Sequence, residues 1–116
     1  MRVLVVEDDP LIGLLLAELL QDMGHEVSDV AATEAGAVAA ASRDRPELMI
    51  VDAHLGCGSG VAAVTRILQA GWLPHLFISG SAMESAGSGA VTLRKPFLEH
   101  DLVQAMGRAL AQIPVA

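Results

Sequence analysis

Cysteine is nearly missing from this 116-residue chain, and Cys57 is the one that occurs. A lone thiol closes no intramolecular disulfide, and such usage fits the reducing cytoplasm. Basic residues are scarce too: seven Lys and Arg stand against fourteen Asp and Glu, for a formal net charge of −7. Lys95 is the only lysine. A nucleic-acid binder needs a basic patch to displace counterions from phosphates, so the acidic balance argues against that class. No apolar run approaches the roughly 20 residues of a membrane span. The longest candidate, residues 11–20, is broken by Gly13 and Glu18. No signal peptide is expected, because the apolar residues 3–6 run straight into Glu7-Asp8-Asp9. What is plentiful is apolar surface. Hydrophobic residues make up 53%, far above a disordered composition, in a length that suits one domain with a single core.

That apolar content is distributed in two alternating patterns. Short β-rich runs occupy residues 3–6, 27–30, 48–51, 76–78 and 90–93. Helical patterns lie between them. The first includes Leu11, Leu14, Leu15, Glu18 and Leu19, with Asp9 as N-cap, Pro10 in the first turn and Gly24 just past the end. Thr33 caps an alanine-rich helix over 34–43, a third covers 60–70 before Gly71, and the last runs from about 98 to 111. Strands alternating with helices imply right-handed βαβ crossovers and a parallel sheet covered on both faces. Residues 48–51, apolar without alternation, read as a central strand buried on both sides. Between the fourth and fifth strands only the ten residues 80–89 remain, three of them glycine and three serine. A helix of ~11–12 residues does not fit there with its loops, so a loop or single helical turn is expected.

In an open parallel sheet, ligands bind beyond the carboxyl ends of the strands, where strand order reverses. Unusual residues stand at those ends. The first strand ends in Glu7-Asp8-Asp9, the third in Asp52, the fourth in Ser79, and the fifth near Lys95. With a flavodoxin-like order 2-1-3-4-5, Glu7, Asp8 and Asp52 converge, and Ser79 and Lys95 flank Asp52 on its other side. An acid ending an otherwise apolar central strand is costly without a purpose. Asp9 is read as a cap rather than a metal ligand. The glycines of residues 56–60 read as a flexible turn rather than a phosphate loop. His25, His75 and His100 lack metal-ligand spacing and are expected at surface or loop positions. Cys57 has no evident base beside it and reads as incidental. Trp72 is expected to pack at the junction before the fourth strand.

Through VLVVEDD, LMIVDAHLG, FISG and LRKPF, in order and over nearly the whole chain, the sequence resembles the bacterial response-regulator receiver family. The resemblance implies an α/β, flavodoxin-like, doubly wound five-stranded parallel sheet of order 2-1-3-4-5, and the short 80–89 segment is expected to leave its fourth helix shortened or absent. It implies one receiver domain over residues 1–116, expected without an output domain and, from the cysteine usage, in the cytoplasm. Asp52 is then the phosphoacceptor, supplied by a histidine kinase or phosphotransfer protein, with Ser79 and Lys95 as the hydroxyl and lysine of the site. Glu7, Asp8 and Asp52, with the backbone carbonyl of His54, would hold Mg²⁺. The Lys95–Pro96 bond is cis in this family. Three packed carboxylates repel, and a hard, oxygen-loving cation relieves that repulsion.

The resemblance implies a phosphoacceptor that promotes its own phosphorylation and dephosphorylation, not a classical enzyme, acting in a phosphorelay or on a downstream protein partner. No membrane or nucleic-acid partner is implied. The alternative is a receiver-like interaction module that is not phosphorylated. An aspartyl phosphatase is disfavoured because His54 stands where its second Asp belongs, two residues after Asp52. A flavin carrier is disfavoured because Glu7-Asp8-Asp9 would face the flavin phosphate. Two departures bear on output: Ser79 replaces the more usual threonine, and Thr92 stands where many members carry a switching aromatic.

Overall fold

A computed structural model describes residues 1–56, 58–80 and 90–112. The elements are β1 (Arg2–Val6), α1 (Pro10–Asp22), β2 (Glu26–Ala31), α2 (Glu34–Arg43), β3 (Leu48–Asp52), β4 (His54–Leu55), β5 (Gly58–Ser59), α3 (Gly60–Leu68), β6 (His75–Ser79), β7 (Thr92–Arg94) and α4 (Glu99–Leu110). The main sheet is parallel in the order β2-β1-β3-β6-β7, while β4 and β5 form a separate antiparallel hairpin. With the hairpin set aside, this is the expected order 2-1-3-4-5.

Period-two alternation divides the sheet between two apolar layers. Val3, Val5, Leu48, Ile50, Leu76 and Ile78 face α1 and α4, whereas Leu4, Val6, Met49, Val51 and Phe77 face α2 and α3. β3 and β6 are buried along their whole length, as a parallel sheet covered on both sides requires. The edge strand β7 keeps Thr92 and Arg94 exposed and buries Leu93 between them.

Local chemistry sets the helix ends. Asp9 accepts from the Leu11 and Ile12 amides at 2.9 and 3.4 Å, and Pro10 supplies a preset φ in the first turn. Gly24, at φ 91°, terminates α1 in the left-handed region. Thr33 and Ser59 cap α2 and α3.

Several boundaries differ from the sequence expectation. β2 gains a residue at each end, and β7 begins at Thr92 rather than at residue 90. α3 ends at Leu68, because the Ala70 and Gly71 amides turn back to Ile67 and Leu68 in a tighter final turn. α4 spans Glu99–Leu110, with Leu98 as its N-cap.

One reading needs correction. His75 is not at the surface: it lies buried in β6, its Nδ1 2.8 Å from the Leu73 carbonyl, between the rings of Trp72 and Phe77. Its neighbours in the strand are apolar, and aromatic contact plus one hydrogen bond make burial of the imidazole tolerable. Trp72 packs at that junction as expected. Within the turn expected at 56–60, Gly58 and Ser59 pair with Leu55 and His54 as the β4–β5 hairpin, and Ser59 caps α3. Cys57 and residues 81–89 of the loop or single turn expected across 80–89 lie outside the described residues. Among those described, no helix is long and apolar enough to cross a membrane.

Candidate functional site

Strand register assembles the site. Val6 pairs with Val51, so the next residues, Glu7 and Asp52, lie side by side at the sheet's carboxyl end. Asp52 pairs with Ile78, which places Ser79 one step farther along β6. Ser79 pairs with Arg94, and Lys95 follows, its amide donating to the Ser79 carbonyl at 2.8 Å. The Lys95–Pro96 bond is cis.

Glu7, Asp8 and Asp52 each offer a carboxylate oxygen within 4.8 Å of the others. Glu7 and Asp52 are buried and Asp8 is exposed, so the cluster opens to solvent on the Asp8 side. Lys95 Nζ lies 3.3 Å from Asp52 Oδ2 and 3.5 Å from Glu7 Oε1. Asp52 Oδ1 accepts from the His54 amide at 2.9 Å, and Glu7 Oε2 lies 3.4 Å from the Asp9 amide. The His54 side chain itself is exposed. Ser79 is 2% exposed.

Electrostatics separates the two buried acids. Burial pushes Glu7 up from 4.5 to about 7, with the hydrogen bond to Asp52 and its charge adding to the rise; the Asp9 amide and Lys95 oppose it. Burial also raises Asp52, but the Glu7 hydrogen bond, the His54 amide and Lys95 outweigh it and hold that carboxyl below its usual value. Burial lowers Lys95, and attraction to Asp52 and Glu7 more than reverses this, so its pKa is raised. Asp52 is therefore the anion of the pair, and Glu7 retains a proton until near neutrality.

The donor set fits a hard divalent cation. All three side chains offer oxygen, one is solvent-facing, and the buried Glu7 carboxyl is ionised with difficulty in the cluster as it stands. Lys95 alone leaves the three acids undercompensated.

Two glycines that the sequence marked only as part of a turn shape this pocket. A Cβ on Gly60 would collide with the Asp52 carbonyl oxygen, and one on Gly56 would lie 3.3 Å from Asp8 Oδ2. Gly56 is also at φ 59°, which favours glycine. The signal was the glycine-rich stretch after the third strand, whose closeness to the acids depends on the chain folding back.

Beside the acids, a groove of about 350 Å³ runs between α1 and β2, lined in part by Leu14, Ala17 and Val30. Leu11, Leu14 and Leu15 are exposed, whereas α1 buries Gly13, Leu16, Ala17 and Leu20. Gly13 permits close packing, since a Cβ there would meet Val30 Cγ1 at 2.9 Å.

An open doubly wound sheet with an acid cluster and a lysine at its carboxyl end defines the class of protein. The chain belongs to the response regulator receiver domain family, whose model matches residues 3–107. It is 40% identical over 80 residues to the phyllosphere-induced regulator PhyR of Methylorubrum extorquens, a match covering 67% of this chain and 30% of that protein. It is 30% identical over 117 residues to the transcriptional regulatory protein PdtaR of Mycobacterium tuberculosis, covering 96% of this chain and 57% of that one. The chain thus spans less than two-thirds of either relative. The solution structure of the Erythrobacter litoralis PhyR receiver domain superposes with a TM-score of 0.86 at 30% identity, covering 99% of this chain and 95% of that domain.

Proposed function

We propose that residues 1–116 act as a phosphoacceptor receiver domain of two-component signalling, taking a phosphoryl group on Asp52 from a histidine kinase or phosphotransfer protein and acting on a downstream protein partner in the cytoplasm. The observation that carries this reading is the contact of Lys95 with Asp52 and Glu7 at the carboxyl end of the sheet, with Asp8 beside them.

Asp52 is the nucleophile because it is the acid kept ionised. One of its oxygens attacks phosphorus in line with the phosphorus–nitrogen bond of a phosphohistidine. The phosphorus–oxygen bond forms as that bond breaks, and the donor imidazole leaves with the electron pair and takes up a proton from water. The His54 amide orients the carboxylate through Oδ1. Lys95, already beside Oδ2, meets charge developing on the phosphoryl oxygens, and Ser79 contributes its hydroxyl to them. Glu7, Asp8, Asp52 and the His54 backbone carbonyl would hold Mg²⁺, which neutralises phosphoryl charge when bound. The exposed leucines of α1 beside the acids suit a protein donor rather than a small one.

Incubation with acetyl phosphate and Mg²⁺, followed by intact mass measurement, tests this reading. A single phosphoryl adduct absent from Asp52→Asn is expected. No adduct, or one that survives Asp52→Asn, overturns the assignment and leaves a receiver-fold interaction module.

A further inference from the structure

Helices α2 and α3 pack against the same face of the sheet, and between them lies a cleft of about 300 Å³. Its apolar lining is Val38, Ala41, Ile67 and Ala70; Ser42, Arg45 and Arg66 provide its polar side chains. Among the described residues, no carboxylate lines it. That is unexpected in a chain of net charge −7.

The arginines of this chain divide into distinct groups. Arg2 and Arg43 are paired with Asp44 and Asp29 at 3.4 and 2.8 Å. Arg45 and Arg66 form no ion pair among the described residues, and both are directed to the same cleft. Arg45 is also held in place. Its carbonyl accepts from Arg2 Nη2 at 2.7 Å, and its own Nη2 donates to the Trp72 carbonyl at 3.3 Å. The guanidinium rests against Gly71, where a Cβ would stand 3.1 Å from Nη2. One edge of the fork is anchored, and its other donors have no hydrogen-bond partner among the described residues.

We infer that this cleft is a binding site for a small organic anion, a phosphate or carboxylate group carried on a compact apolar body. The two guanidinium groups match such an anion in charge and in their paired donors, and the apolar lining takes the body. The volume is at the small end of ligand cavities, which favours a compact ligand over a peptide. The cleft lies at the end of the sheet opposite the acid cluster. α2 and α3 each return from the carboxyl end of one strand to the start of the next, and Arg45 and Ala70 lie in those return connections. Binding there is independent of Asp52.

Amide spectra of the full chain in Mg²⁺-free buffer, titrated with phenyl phosphate, phenylacetate and inorganic phosphate, test the inference. Saturable shifts at Ser42, Ile67 and Ala70 are expected with at least one of the two aromatic anions. Preference for phenyl phosphate assigns a phosphate ester, and preference for phenylacetate assigns a carboxylate. Affinity should fall roughly tenfold or more in Arg66→Gln and in the Arg45→Gln/Arg66→Gln pair. Asp52→Asn should bind as the parent does. Arg66 is exposed in the last turn of α3, so its variant keeps the fold, as its unliganded spectrum will report. Absence of saturable shifts, inorganic phosphate binding as well as the aromatic anions, or undiminished binding by Arg66→Gln and by the pair overturns the site.

Discussion

Gly60 lies directly against the backbone carbonyl of Asp52, so closely that no side chain fits between them. The Gly60 amide also donates to the Ala53 carbonyl at 3.0 Å, tying the start of α3 to the end of β3. Gly60→Ala should therefore displace Asp52 and cost roughly 1–3 kcal/mol through overpacking. Thermal unfolding together with acetyl phosphate labelling checks this. A variant as stable and as reactive as the parent would show that the chain relaxes freely there.

The raised pKa of Glu7 makes the metal-free fold sensitive to pH. Its carboxyl titrates near 4.5 when unfolded and near 7 when folded, so the folded state binds the proton more tightly. The corresponding stability is fully present below about 4.5 and is lost as pH rises through about 7. In Glu7→Gln this loss should disappear. Denaturant unfolding between pH 4.5 and 8, without divalent cations, is the measurement, and parallel curves for variant and parent would contradict it.

Mg²⁺ should reverse that loss, because it binds the folded cluster and not the unfolded chain. At ten times its Kd the gain is about 1.4 kcal/mol, which raises Tm by roughly 5 °C. The effect should shrink on acidification, as the carboxyls protonate, and largely vanish in Asp8→Asn, whose exposed side chain is the cluster's open member. Scanning calorimetry with and without Mg²⁺ provides the test; a Tm indifferent to the cation at pH 7.5 would count against the cluster as its site.

Among the described residues, Lys95 is the one cation in contact with both buried acids. Lys95→Ala should slow labelling by acetyl phosphate on the order of 10²-fold, the usual effect of deleting one donor to developing charge. Time courses by mass spectrometry report it. An unchanged rate would remove Lys95 from the chemistry.

Thr92 is exposed on the edge strand β7 and is too small to fill and vacate a cavity as a switching aromatic does. Thr92→Ala should leave both labelling and the response to beryllofluoride unaltered. Hydrogen exchange with this phosphoryl mimic checks the point, and altered protection in the variant would refute it.

Much of this protein was determined by sequence alone. Alternating periodicities specify strands and helices one after another, and each boundary signal is local: Asp9 with Pro10, Thr33, Gly24. The acids Glu7, Asp8 and Asp52 and the lysine Lys95 were legible because each interrupts or follows an apolar strand, where a charge is conspicuous. Parallel topology brings all strand ends with their carboxyl termini to one edge, so a list of strand ends is already a list of neighbours. What needed tertiary structure is whatever depends on a contact between distant segments. The helical pattern through Leu11, Leu14 and Leu15 marks α1, but only packing against the sheet buries Gly13, Leu16, Ala17 and Leu20 instead. His75 has a polar name and an apolar location because Trp72 and Phe77 close around it. Gly60 is essential in shape only once α3 turns back over Asp52, and the arginines of the α2–α3 cleft meet only when two crossovers lie side by side. Local propensity acts over a few residues, whereas burial and charge compensation are set by what the fold brings within a few ångströms.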